Sequence, residues 1–211
     1  PEEAPLTTKG LKNKKTVAGT DGAGSAEQLR ALLDRTTTKL HQTEFLLSVT
    51  RKISGLNNLS DILWALIQLT TEELGADRGS LFLNDPMTGE LYTRIAQGDL
   101  TREIRILNNT GIAGAVFQSG VSEIIHNAYD DDRFNAKVDE QTGFKTKNII
   151  CAPIKTARGE TIGVIQILNK KKGRFTKHEL RLVEGITSQA SISLQNAQGI
   201  EEMERTREKE M

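Results

Sequence analysis

The chemical question begins with three residues. Asp139, Thr142 and Thr146 stand three and four apart in VDEQTGFKT, around Gly143 and directly ahead of the apolar run NIICAPI (148–154). On one helical turn they share a face and offer one acid and two hydroxyls for directional hydrogen bonds. A capped loop turn accounts for the same residues equally well. Upstream, NNTGIAGAVFQSG (108–120) sets a glycine just before a short helix. The N–H groups of Ile112 and Ala113 would then point outward with the positive end of the helix dipole, an arrangement that suits phosphate or carboxylate. Taken alone, that stretch reads better as an ordinary glycine-started helix. The two stretches gain weight together because both fall in the one insert that must cross a sheet face. A sheet face closed by a polar lid is a small-molecule pocket.

No catalytic constellation can be assembled, so no catalytic residue is assigned. The three histidines, His41, His126 and His178, sit in unrelated segments without partners at metal-ligand spacing. No metal site is expected. The single cysteine, Cys151, lies inside an apolar strand and reads as a buried structural thiol rather than a nucleophile. DDDR (130–133) reads as a solvated turn in preference to a cation site, and no phosphate loop of the Walker type is present.

The elements that position these residues follow from hydrophobic period. Residues 1–24 are poor in large apolar side chains and read as a disordered tail or linker. KNKK (12–15) is taken there as solvated linker rather than a contact patch. Residues 25–56 carry Leu29, Leu33, Thr36, Leu40, Thr43, Leu47 and Thr50 at a 4-3-4-3 spacing, a coiled-coil-like seam softened by threonines, and Val49, Ile53 and Leu56 add a second stripe. A helix over 59–74 shows Ile62, Leu63, Leu66, Ile67 and Leu74 on one face. The period then switches to two. SLFLN (80–84) and LYTRIA (91–96) flank DPMTGE as a hairpin, and EIRIL (103–107), EII (123–125), NIICAPI (148–154) and TIGVIQILN (161–169) complete six strands. Residues 126–146 are polar and loop-rich, with room for one helical turn. Thr176 opens the last helix through TKHE, a capping box, and residues 199–211 form a charged extension of it. Consecutive strands joined by tight turns predict an α+β domain. A six-stranded antiparallel sheet would carry the terminal helices on one face and the 108–146 insert on the other.

Bulk properties narrow the setting. In 211 residues there are 28 basic and 28 acidic side chains, so nothing global attracts nucleic acid or an anionic membrane. One cysteine fits a reducing compartment, no apolar run approaches the roughly 18–20 residues that span a bilayer, and the opening residues lack a signal-peptide core. A soluble, cytoplasmic chain is expected.

GIAGAVFQSG, NAYDDDRFNAKVDEQTGFKTKNIICAPI and IGVIQILNKKKGRFTKHEL together resemble a GAF domain, with its PAS-like fold, over residues 57–198. The likeness is strongest to the cyclic-nucleotide-binding GAF domains of bacterial adenylyl cyclases and of cyclic-nucleotide phosphodiesterases, with Asn127 where those carry Asp. The resemblance implies that Ile112 and Ala113 offer backbone N–H groups to a cyclic phosphate and that Thr142 and Thr146 bond the phosphate or ribose. It implies further that Asp139 orients the lid, while Ser80 and Arg94 approach the ligand from the sheet. Asn135 stands where the family often has a stacking aromatic, and Gln97 and Gln166 stand where a cyclic-GMP binder has acids. Loss of two acids that would read guanine, with amides that pair with adenine, implies cyclic AMP in preference to cyclic GMP. Asn169, Lys170 and Phe175 match a structural signature after the last strand, with Glu179 in place of Asp, and a Lys170–Glu179 bridge is expected to be exposed and worth about 0–1 kcal/mol. No cofactor is implied beyond the bound nucleotide. The function implied is allosteric control of an output domain, a nucleotide cyclase foremost, by a parallel homodimer joined through its terminal helices. The alternatives are a ligand-free GAF module for dimerisation and signal relay in a histidine kinase, diguanylate cyclase or phosphatase, and a methionine-sulfoxide-reducing enzyme, which one cysteine does not support.

Overall fold

A computed structural model describes residues 21–98 and 103–210. Its elements run α1 (Asp21–Ile53), α2 (Leu59–Leu74), β1 (Ala76–Asp85), β2 (Glu90–Ala96), β3 (Arg105–Leu107), α3 (Gly111–Ser119) and β4 (Glu123–Ile125). After a 3-10 turn at Ala128–Asp130 come α4 (Ala136–Thr142), β5 (Ile149–Lys155), β6 (Thr161–Lys170) and α5 (Lys177–Glu210). Most of the expected tail, with KNKK (12–15), lies outside the described residues, and residues 21–24 are helical rather than tail. The chain divides into a unit ending at Lys39 and a unit from Leu40 onward. Within the first, α1 leaves Leu29, Leu32 and Leu33 exposed.

In the second unit all six strands pair antiparallel, in the order β3-β2-β1-β6-β5-β4. Two meanders, β1-β2-β3 and β4-β5-β6, are joined edge to edge through β1 and β6. The first hairpin closes as its sequence dictates: Asp85 Oδ1 accepts from the Met87 N–H (3.0 Å), and Asp85 O accepts from Gly89 N–H (2.9 Å). Helix α2 starts on Asn58, whose side chain accepts from the Ser60 N–H at 2.7 Å, and stops at Gly75 in the left-handed region.

The sheet separates two apolar cores. On one face Leu63, Leu66 and Ile67 of α2 and Leu182, Val183 and Ile186 of α5 pack on Leu81, Ile154, Ile165 and Ile167. Phe45 and Val49 of α1 join them. The stripe of α1 that is buried is therefore the second one, and the coiled-coil-like seam is left open, with Leu40 57% and Leu47 53% exposed. On the other face Ile112, Ala113 and Val116 of α3 pack on Phe82, Leu91, Ile149 and Val164. Burial on two faces explains the unbroken apolar run of β5, in which only Lys155 is exposed.

Three helices of the second unit meet at a pair of imidazoles. The His41 and His178 ring centroids lie 5.6 Å apart, His41 Nε2 is 2.9 Å from Glu73 Oε1, and His178 Nδ1 is buried without a hydrogen-bond partner. Burial, followed by the fields of His41 and Arg181, pushes the His178 pKa below its ordinary value, against a smaller opposing pull from Glu179 and Glu73. The folded state thus favours neutral His178. Its contribution to stability is full above about pH 6.5, the ordinary histidine value, and is lost as pH falls through the lower folded pKa. Urea melts are expected to show a lower midpoint at pH 5 than at pH 7.5, with a smaller difference in His178→Gln. An equal difference in the variant would remove His178 as the cause.

Candidate functional site

Between the sheet and the insert lies a cavity of about 110 Å³. Its floor is the insert-facing side of the sheet: Arg78, Ser80 and Phe82, which alternate along β1, with Gln166 and Leu168 of β6 and Ile149 of β5. Its roof is Phe134, Asn135 and α4, continued by Phe144 and Thr146. One end is the start of α3. There Gly111 takes φ 73°, a left-handed conformation open to glycine at little cost, and Thr110 makes no side-chain capping bond. The first-turn N–H groups of α3 have no intrahelical acceptor and no acidic side chain among them. Ile112 and Ala113 line the cavity, so the positive end of α3 borders it without a counter-charge on its own first turn.

The roof is tied down by one carboxylate. Asp139, 8% exposed, accepts from the Thr146 N–H at 2.6 Å and hydroxyl at 2.7 Å, and from Tyr129 Oη–H at 3.0 Å. That bond to Asp139 holds the Tyr129 phenol pKa above its ordinary value. Downstream, Asn169 is buried with φ 58° and clamps the same segment from the end of β6. Its Oδ1 accepts from Lys147 N–H (2.6 Å) and its Nδ2 donates to Lys145 O (2.8 Å). Lys170 follows. Its ammonium donates to Leu74 O (3.1 Å) and pairs with Glu179, whose other oxygen closes the Thr176 capping box. The Lys170 and Glu179 side chains are only 17% and 14% exposed, which corrects the expectation of an exposed bridge. Lys170 and Glu179 thus join the insert's anchor to the first turn of α5, and Phe175 is buried beside them.

Of the ten ligand-contact candidates, nine line the cavity: Ser80, Gln97, Ile112, Ala113, Asn135, Asp139, Thr142, Thr146 and Gln166. Arg94 does not. The β1–β2 register passes from Leu81↔Ile95 to Phe82↔Thr93, so Arg94 falls in a bulge. It is re-aimed at α2, where Nη2 donates to Ser60 Oγ at 2.8 Å. Several of the nine are already committed. The Thr146 hydroxyl proton goes to Asp139, and that of Thr142 goes to Val138 O (2.9 Å), leaving oxygens that can accept but not donate. Asn135 caps α4 through Lys137 N–H (3.2 Å). Gln97 Oε1 accepts from Gly79 N–H (2.8 Å) and the Thr71 hydroxyl (3.2 Å). Bidentate pairing of Gln97 with adenine needs that oxygen, so the argument from Gln97 for adenine fails. Arg78 and Phe144 were missed. Starting the strand at Ser80 left out Arg78, two residues earlier on the same face; Phe144 looked like part of a loop. Among the described residues no group of acids, histidines or cysteine could hold a metal. Cys151 is fully buried, which pushes its thiol pKa up and keeps it protonated.

The chain matches the family model for the GAF domain over residues 58–194 and belongs to that family. It is 32% identical over 177 residues to the dual 3',5'-cyclic-AMP and -GMP phosphodiesterase 11 of Drosophila melanogaster, covering 76% of this chain and 12% of that protein. It is 32% identical over 204 residues to a cGMP-specific 3',5'-cyclic phosphodiesterase of Drosophila ananassae, covering 89% of this chain and 17% of that protein. The chain thus spans a quarter or less of the curated relatives it matches. Among solved structures, the GAF domain of a phosphoenolpyruvate-protein phosphotransferase (ptsP) from Coxiella burnetii superposes with TM-score 0.69 at 20% identity, over 76% of this chain and 96% of that one. That likeness supports the fold alone. No helix among the described residues is long and apolar enough to cross a membrane.

Replacing Asp139 by Ala removes the acceptor of three donors, of which the two on Thr146 are buried. Each buried orphan costs about 1–3 kcal/mol. Hydrogen exchange is expected to accelerate at the Thr146 and Lys147 amides while β1 and β6 stay protected. Unchanged exchange at Thr146 would show that the carboxylate does not hold the roof.

Proposed function

We propose that this GAF domain is a regulatory receptor for a purine 3',5'-cyclic nucleotide, cyclic GMP in preference to cyclic AMP, and that it controls a phosphodiesterase rather than a cyclase. The observation that carries the reading is the cavity itself. It is a partly open space at the uncapped N-terminus of α3, beneath a roof fixed by Asp139. The cyclic phosphate goes to the Ile112 and Ala113 N–H groups, where a monoanion meets the helix dipole. The ribose goes under Thr142 and Thr146, whose committed hydroxyls accept from its 2'-hydroxyl, and the base goes toward Ser80, Gln97 and Gln166. The choice of cyclic GMP is supported by the names of the relatives, which are cyclic-GMP and dual-specificity phosphodiesterases, and by the commitment of the Gln97 oxygen.

The cavity is smaller than the roughly 300–1,000 Å³ of small-molecule sites. A nucleotide therefore enters only if the 134–147 segment swings outward, and its binding free energy is spent partly on that movement. Isothermal titration should give saturable binding of cyclic GMP and weaker binding of cyclic AMP. No heat with either, on protein stripped of co-purified nucleotide, rejects the proposal.

The open leucines of α1 support a second element of the reading, a dimer of this chain, as in the coiled-coil spacing of Leu29, Leu33, Leu40 and Leu47. Burying one leucine is worth about 1.5–3 kcal/mol. Light scattering is expected to report a dimer that Leu33→Asp with Leu40→Asp converts to monomer; a dimer that persists in the double variant places the interface elsewhere.

A further inference from the structure

The base end of the cavity has a chemistry that its sequence left hidden. Arg78 lies there, beside Leu168, its partner on β6, and Phe144 of the roof. Its guanidinium is held by packing. One face lies 4.2 Å from the centroid of the Phe144 ring. Its edge lies against Gly98, where an added Cβ would come 2.7–2.9 Å from Cζ, Nη1 and Nε. The glycine, at φ 106°, leaves that space to the guanidinium. Among the described residues no carboxylate pairs with Arg78 and no hydrogen-bond acceptor holds it. Gln97 lies opposite Gly79 and is bonded to it in both directions: Gln97 N–H donates to Gly79 O (3.0 Å), and Gly79 N–H donates to Gln97 Oε1 (2.8 Å). That oxygen also accepts from the Thr71 hydroxyl (3.2 Å), so the Gln97 head group is held toward α2, and Arg78 is the charged donor at this end of the cavity.

We propose that the Arg78 guanidinium selects the base by its acceptor edge, so that guanine preference comes from O6 and N7 rather than from an acid reading N1 and N2. This rests on the cyclic-nucleotide reading above. Guanine presents two adjacent acceptors on that edge, and arginine pairs with them bidentately. Adenine places its N6 amino donor beside N7, so the guanidinium meets one acceptor and one like group. The Phe144 ring positions the guanidinium plane and links recognition to the roof, since Phe144 follows Gly143 at the end of α4.

Cyclic IMP is the discriminating ligand, because it keeps O6 and N7 and lacks the 2-amino group. Affinities of cyclic GMP, cyclic IMP and cyclic AMP are to be measured for the wild-type chain, Arg78→Lys and Arg78→Ala, with thermal melts to establish folding. Cyclic IMP is expected to bind within about threefold of cyclic GMP. Arg78→Ala is expected to weaken both about tenfold or more, the size of one bidentate contact, with little change for cyclic AMP. Arg78→Lys, which keeps charge and bulk but loses the fork, should fall in between while melting as the wild type does. The assignment to Arg78 is overturned if cyclic IMP binds as poorly as cyclic AMP or if the arginine variants weaken all three nucleotides equally. Wild-type binding to none of the three would reject the receptor reading itself; binding with no base preference would reject the role of Arg78 alone.

Discussion

The Asp139 carboxylate is the constraint on which the site depends. It accepts from the backbone and hydroxyl of Thr146 and from the Tyr129 hydroxyl, so both the entry to β5 and the 3-10 turn are referred to a single buried charge. A buried carboxylate is tolerated only when its lone pairs are satisfied. That requirement fixes the path of residues 139–146 more tightly than a seven-residue helix could by itself. With Asn169 clamping residues 145 and 147 from the sheet side, the roof has one fastening to itself and one to the floor.

This arrangement separates holding from contacting. The threonines look from their spacing like ligand donors, yet both hydroxyl protons are spent inside the roof. What stays uncommitted along the cavity is the start of α3 and the Arg78 guanidinium on β1. The protein's polar groups divide into those that shape the cavity and those left unspent within it, and the division is made by hydrogen-bond accounting rather than by residue type.

Much of the fold was legible because hydrophobic period is a strong signal. Helix α2 was read to the residue, the six strands fell where alternation or turn residues placed them, and the TKHE capping box forms at Thr176. The insert's role as a cover followed from topology, since a chain leaving β3 at the sheet edge must recross to reach β4. The losses have physical causes. Arg94 was misplaced because a bulge between Leu81 and Phe82 shifts alternation by one residue, and no single side chain announces a bulge. Arg78 was overlooked because β1 starts at Ala76, where the sequence is polar. The burial of Lys170 and Glu179 depends on α5 folding back over β6, which their spacing does not reveal. The exposed seam of α1 was correctly seen as apolar, but spacing alone could not tell which of its two stripes the core would take.

Helix α5 runs 34 residues without a break from Lys177 to Glu210, and its first turn is bonded through Glu179 to Lys170 at the end of the strand that also carries Gln166 and Asn169. At 1.5 Å per residue such a helix is about 50 Å long. A tilt of about 5° at its base would carry its far end sideways by about 4 Å, roughly the spacing of one strand from the next. In the proposed dimer, a rod of this length would turn a sub-ångström adjustment at the cavity floor into a displacement large enough to change which residues two such rods set against each other. The length of the helix, more than its packing, would set the gain.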